Sequence, residues 1–163
     1  LQILTRQVAS TAVAIFVSAM TVSGCSAGAG ESRSSSSSTR APNSYEEMNA
    51  EFNASKKNLR LPAEVAWPAE VRRDGSGDLY APGYGTSQAE QFWYCSWAKK
   101  WLFVRAVSED DASAALSELK SVKRTSLYLT AFAPEVQRET DNELAAAEKG
   151  DPKLLSASVE RNC

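Results

Sequence analysis

From Ser44 onward the residue pattern predicts an all-α fold, a small and mostly antiparallel array of about four or five helices. Three observations predict it. Apolar side chains recur every three or four residues in several separate segments, which puts them on one face of a helix. Capping or acidic residues stand before most of those segments, and basic residues or Gly stand after some of them, as at helix ends. Pro and Gly collect between the segments, above all in one long stretch.

The elements follow in order. Ser44 and Glu47 form an S-x-x-E capping box, and the helix it opens carries Tyr45, Met48, Phe52 and Leu59. From Leu61 to Gly85 the period is lost, and Pro62, Pro68, Gly75, Gly77, Pro82, Gly83 and Gly85 punctuate a loop that also holds Trp67, Tyr80 and Tyr84. Loops of this length are uncommon in compact domains and are often functional. Because aromatic side chains in a loop are hard to bury, Trp67, Tyr80 and Tyr84 are the candidate partner contacts. Ser87 and Glu90 repeat the capping-box pattern and predict that the next helix opens there. In it Trp93, Trp97, Trp101 and Val104 share one arc, with Tyr94 at its edge, while Cys95, Ala98, Leu102 and Ala106 form a thinner second arc. A helix apolar on two sides packs neighbours on both, so this is the central one. Its helical spacing also marks the tryptophan stripe as core and not as a stacking platform.

Ser108 caps a third helix whose first turn, Glu109, Asp110 and Asp111, suits the positive end of the helix dipole. Ala112, Ala115, Leu116, Leu119 and Val122 make its inward stripe. A hydrophobic link, Leu127 to Phe132, leads to Pro134 at a first helical position. Val136, Thr140, Leu144 and Ala147 then form a stripe that Gly150 ends. Asp151 and Pro152 restart a short helix in which Leu155, Val159 and Cys163 recur every four residues, placing Cys163 on the buried face. Opposite small residues on the thin arc of the central helix, it predicts a Cys95–Cys163 disulfide. Two free thiols are the alternative, which α-carbons more than about 7 Å apart would betray.

Charge and composition exclude several functions. The 163 residues carry 18 basic and 20 acidic side chains, a formal charge of −2, so nucleic acid is not a partner, since phosphate binding needs clustered Lys and Arg. Histidine is absent, which removes the common general base, the Ser-His and Cys-His nucleophile pairs and the commonest zinc ligand. Asp74 to Asp78 resembles a calcium loop only superficially: the position that needs Gly is Leu79, and the one that needs a bidentate Glu is Gly85. No Gly-rich phosphate loop or nucleophile elbow is present. No catalytic residue, metal or cofactor is therefore assigned.

The first 25 residues have their own layout: Arg6, an uncharged run from Val8 to Val22, then Ser23, Gly24 and Cys25. The run is short for a bilayer span, which takes about 20 apolar residues, and fits a removable signal peptide. Val22-Ser23-Gly24-Cys25 resembles the lipobox of bacterial lipoproteins. That resemblance implies cleavage between Gly24 and Cys25 and a diacylglyceryl group on the Cys25 sulfur. It also explains an odd cysteine beside a pair. Ser26 to Asn43, rich in Ser, Gly and Ala, cannot bury enough apolar surface to order itself and reads as a flexible tether. The expected organisation is a signal peptide over 1–24, lipidated Cys25 and tether over 25–43, and the helical domain over 44–163. The expected role is a non-enzymatic binding or structural module, lipid-anchored on the extracytoplasmic face of the cell membrane, contacting an envelope protein or glycan. The alternatives are an envelope glycan or peptide hydrolase using carboxylates, and an accessory subunit of a transport or secretion complex.

Overall fold

The structure is a computed structural model and describes residues 41–73, 75 and 77–163. Gly24, Cys25, most of the tether, and Asp74 and Ser76 of the calcium-like turn lie outside the described residues. The regular elements among them are helices, with a single isolated β-bridge besides: α1 (Tyr45–Ser55), α2 (Tyr84–Val104), α3 (Glu109–Lys120), α4 (Pro134–Glu148) and α5 (Lys153–Asn162). Short helical turns follow α1 and α3, and a wider turn covers Leu127–Ala131. No helix among the described residues is long and apolar enough to cross a membrane.

α1 starts as its capping box dictates: Ser44 Oγ accepts from the Glu47 N–H at 3.2 Å, and Glu47 Oε2 accepts from the Ser44 N–H at 2.8 Å. Met48 and Phe52 form its buried stripe, but Leu59 lies past the helix in extended backbone. Just before α1, Asn43 pairs with Tyr80 through two backbone bonds of 2.7 and 2.9 Å, so the far end of the loop is fastened to the start of the first helix.

α2 corrects the second capping box. The helix begins at Tyr84, three residues before Ser87, with Gly83 in a left-handed conformation at its N-cap. Its end is capped from another helix: the Glu51 carboxylate on α1 accepts from the Gly83 N–H at 3.1 Å and from the Gly85 N–H at 3.2 Å. A carboxylate there meets both the orphan donors and the positive end of the dipole, so no local serine is needed. Glu90 is buried and serves elsewhere. It accepts from the Ser126 hydroxyl at 2.9 Å and from the backbone N–H groups of Ser126 and Leu127 at 3.2 and 2.5 Å. Tyr84 accordingly belongs to a helix and not to the loop.

α2 is central, touching α1, α3, α5 and the wide turn. Trp93, Trp101, Ala98 and Val104 are buried, while Trp97 is half-buried and donates its indole N–H to the Arg60 carbonyl at 2.8 Å. α3 contributes Ala115 and Leu119, α4 Leu144 and Ala147, and α5 Leu155 to the same core. Ser108 caps α3 through the Asp111 N–H, Pro134 opens α4, and Gly150 closes it at positive φ. The Leu127–Phe132 link is not extended: the Phe132 N–H reaches the Leu127 carbonyl at 2.9 Å, the i to i+5 bond of a π-turn.

The Cys95–Cys163 disulfide is present, with α-carbons 5.5 Å apart. Only its setting differs from expectation, since Cys163 caps α5 at the exposed rim and its partner Cys95 is the buried half. The bridge closes a loop of 68 residues, which in the chain-entropy model contributes about 4 kcal/mol.

Candidate functional site

The long loop is not free chain. Between Pro68 and Arg73 it is a strap without regular secondary structure, lashed by side chains to α1 and the turn that follows it. Tyr45 donates its hydroxyl to the Val71 carbonyl at 2.8 Å, Asn49 accepts from the Val71 N–H at 3.2 Å, and the Lys56 ammonium donates to the Pro68 carbonyl at 2.6 Å. Lys56 also lies 4.2 Å above the Phe52 ring, and its partial burial there pushes its pKa down. Arg73 stacks on the Tyr45 ring at 3.9 Å and pairs with Glu46. Burial beneath this strap, with Glu70 adding to it, holds the Tyr45 phenol above its ordinary pKa.

Held in this way, the strap roofs a cleft of about 380 Å³ against α2 and the end of α5. Its apolar wall is Phe52, Pro68, Val71, Phe92 and the disulfide; its polar groups are the amides of Gln88, Gln91 and Asn162, with Ser96. Arg72 and Lys99 line it as cations against the single carboxylate of Glu70. Lys99 donates to the Cys163 carbonyl at 2.8 Å, which ties the disulfide end to the cleft rim.

Gln91 and Asn162 also line a second cleft of about 270 Å³, so the two adjoin. Its centre is Glu143, 6 % exposed, whose Oε2 accepts from the Tyr94 hydroxyl at 3.2 Å. Ser158 bonds the same carboxyl and accepts from Asn162 at 3.4 Å. Burial raises the Glu143 pKa; the bonds from Ser158 and Tyr94 and the charge of Arg161 oppose that, and Glu139 reinforces it. The Tyr94 phenol is itself pushed far up by burial beside Glu143. Glu139 stands one turn before Glu143 on α4, exposed at the cleft edge, with Phe132 and Val136 as an apolar lip.

Of the aromatic residues singled out in the sequence, Trp67 is sandwiched between Phe52 and Phe92, ring centroids 6.0 and 5.3 Å away. It supports the loop-side cleft from behind and does not line it. Tyr80 is 8 % exposed, packed between Tyr45 and Tyr84, and offers little surface to a partner. Tyr84 keeps one exposed edge on the first turn of α2. The disulfide pair Cys95 and Cys163 lines the loop-side cleft.

The sequence reading missed Glu143, Arg72 and Lys99. A signal existed for Glu143: it lies three residues after Thr140 and four before Ala147, so it flanks the apolar stripe of α4 where a solvated carboxylate has no place. Nothing in the local pattern distinguishes Arg72 or Lys99 from other surface cations. Comparison with protein families, with curated proteins and with solved structures finds no match in any of the three.

Proposed function

We propose that the chain is a cell-envelope lipoprotein, anchored through Cys25 on the extracytoplasmic face of a membrane, whose helical domain is a non-enzymatic binding module working through the loop-side cleft. One observation carries the binding part: the strap is lashed to α1 so that it stands away from α2 and roofs a partly apolar cleft with a few convergent polar groups, the general form of a binding site. The lipobox resemblance carries the anchor, and the Cys95–Cys163 bridge supports export, because cytosolic thiols are kept reduced.

Two measurements test this. Cys25→Ala should abolish acyl labelling and move the protein out of the membrane fraction; unchanged partitioning removes the anchor from the reading. A photo-crosslinker at Gln88, in the cleft, should capture a protein in intact cells that one at Lys153, outside it, does not. Equal capture from both positions counts against the cleft.

The carboxylate hydrolase is the second reading, favoured by Glu139 and Glu143. One turn apart on α4, their β-carbons lie about 6 Å from each other, and burial gives one carboxyl a raised pKa beside an exposed partner, the asymmetry an acid and base pair needs. The loop aromatics do not line that cleft. Release of reducing ends from a cell-wall glycan by the full chain, lost in Glu143→Gln, would replace the first reading with this one.

A further inference from the structure

We infer that the occupant of the loop-side cleft is an extended peptide segment of a partner protein that carries an acidic side chain between apolar ones; this rests on the reading of that cleft as the binding surface.

Charge comes first. The chain as a whole is negative, −2, yet this cleft gathers Arg72 and Lys99 against Glu70 alone. Among the described residues neither cation is paired with an acidic side chain, Lys99 being bonded to the main-chain oxygen of Cys163, whereas Arg73 beside the cleft and Lys100 beside Lys99 are paired with Glu46 and Glu64. Lys99 holds the Cys163 carbonyl through one donor and has two more. An incoming carboxylate would find a guanidinium and an ammonium at the rim of an apolar wall, where charge-assisted hydrogen bonds are strongest.

The remaining groups favour peptide over glycan. Gln88, Gln91 and Asn162 each carry a donor and an acceptor, the complement of a peptide unit, and Pro68, Val71 and Phe92 receive aliphatic side chains. Sugar rings are bound by stacking on an open aromatic face; Trp67 has its ring packed against Phe52 and Phe92, and of those two wall residues Phe52 is buried while Phe92 is partly covered by the indole. Val71 has both its N–H and its C=O committed to α1, so at that position only the side chain is left for a partner. A cleft of about 380 Å³ takes only a few residues of a partner.

The test is an NMR titration of the isotope-labelled full chain with three probes: a capped hexapeptide Ala-Val-Glu-Val-Pro-Ala, the same peptide with Gln in place of Glu, and chitotetraose. The acidic peptide should shift the side-chain amides of Gln88, Gln91 and Asn162. The Gln peptide should bind about tenfold more weakly, the value of one charge-assisted bond, and added salt should narrow the gap. Arg72→Glu, an exposed loop substitution that leaves the core untouched, should remove the preference. Equal binding of the two peptides, or a response to chitotetraose alone, overturns the peptide inference and leaves the cleft as a binding surface. If none of the probes shifts those amides and the Gln88 crosslinker captures nothing, both the inference and the reading beneath it fail.

Discussion

α2 divides the molecule into two regions built on different principles. On the side of α3, α4 and α5 it meets aliphatic stripes, with Ala115, Leu119, Leu144, Ala147 and Leu155 buried at helical spacing. Ion pairs on that side, Lys120 with Glu148 and Lys123 with Asp141, join half-exposed groups at the rim. On the side of α1 and the loop, the contact is a close backbone approach, an aromatic sandwich and a set of side-chain bonds to backbone groups. The first region would tolerate conservative apolar exchange. The second depends on single atoms in single places, and it is the one that forms the loop-side cleft.

The largest expected effect breaks the second region. A β-carbon on Gly85 would run into the Met48 carbonyl oxygen and lie 2.9 Å from the Phe52 nitrogen, both backbone atoms of α1 that cannot turn aside. Gly85→Ala should therefore destabilise by about 4 kcal/mol, at the upper end for single substitutions. Hydrogen exchange should show α1 and the loop opening while α3 to α5 keep their protection; uniform loss would mean that the two regions are not separable. Leu119→Ala probes the other region. Fully buried in the core, Leu119 should cost about 3 kcal/mol on truncation, with one cooperative denaturant transition that includes α4 and α5.

A smaller effect sharpens the contrast. Tyr45→Phe keeps the ring beneath Arg73 but removes the bond to the Val71 carbonyl, for about 1 kcal/mol. Exchange should rise at Ala69 to Arg73 and nowhere in α3 to α5, and the amide signals of Gln88 and Gln91 should move with the cleft roof.

The same division explains what the sequence reveals. α3, α4, α5 and the Cys95–Cys163 bridge were legible because each rests on a repeat of three or four residues, bounded by the Ser108 cap at α3 and by Pro134 and Gly150 at the ends of α4. The start of α2 was not, because its cap is Glu51, more than thirty residues upstream, and a tertiary cap leaves no local pattern. Ser87 and Glu90 match the capping-box motif while performing no cap, Glu90 having been recruited to hold Ser126 and Leu127. The loop had a legible outline, and Trp67 a legible importance. Its lashing by Tyr45, Asn49 and Lys56 has no periodicity, so the cleft, with Arg72 and Lys99, emerges only in three dimensions.

The smallest effect concerns Glu143, the one place where the periodic region carries a buried acid. Around it stand Tyr94 from α2, Glu139 on its own helix, and Ser158 and Arg161 from α5. Burial is the largest influence and raises the folded pKa above the unfolded value of 4.5. Folding therefore takes up protons in the window above 4.5, and the stability tied to the protonated carboxyl, present at lower pH, is lost as pH rises through it. Glu143→Gln stays neutral, keeps an acceptor for Tyr94 and cannot suffer that loss. Its midpoint of thermal unfolding should lie slightly above that of the wild type at pH 7, and the gap should close as pH falls towards 4. Asp141, Glu148 and Glu64, whose pKa values Lys123, Lys120 and Lys100 hold down, act in the opposite sense, losing their contribution as pH falls. They titrate alike in both proteins and cancel in the difference. A gap that stays constant with pH would mean that Glu143 titrates alike in the folded and unfolded chain, and that the acid cleft lacks the asymmetry on which the hydrolase reading depends.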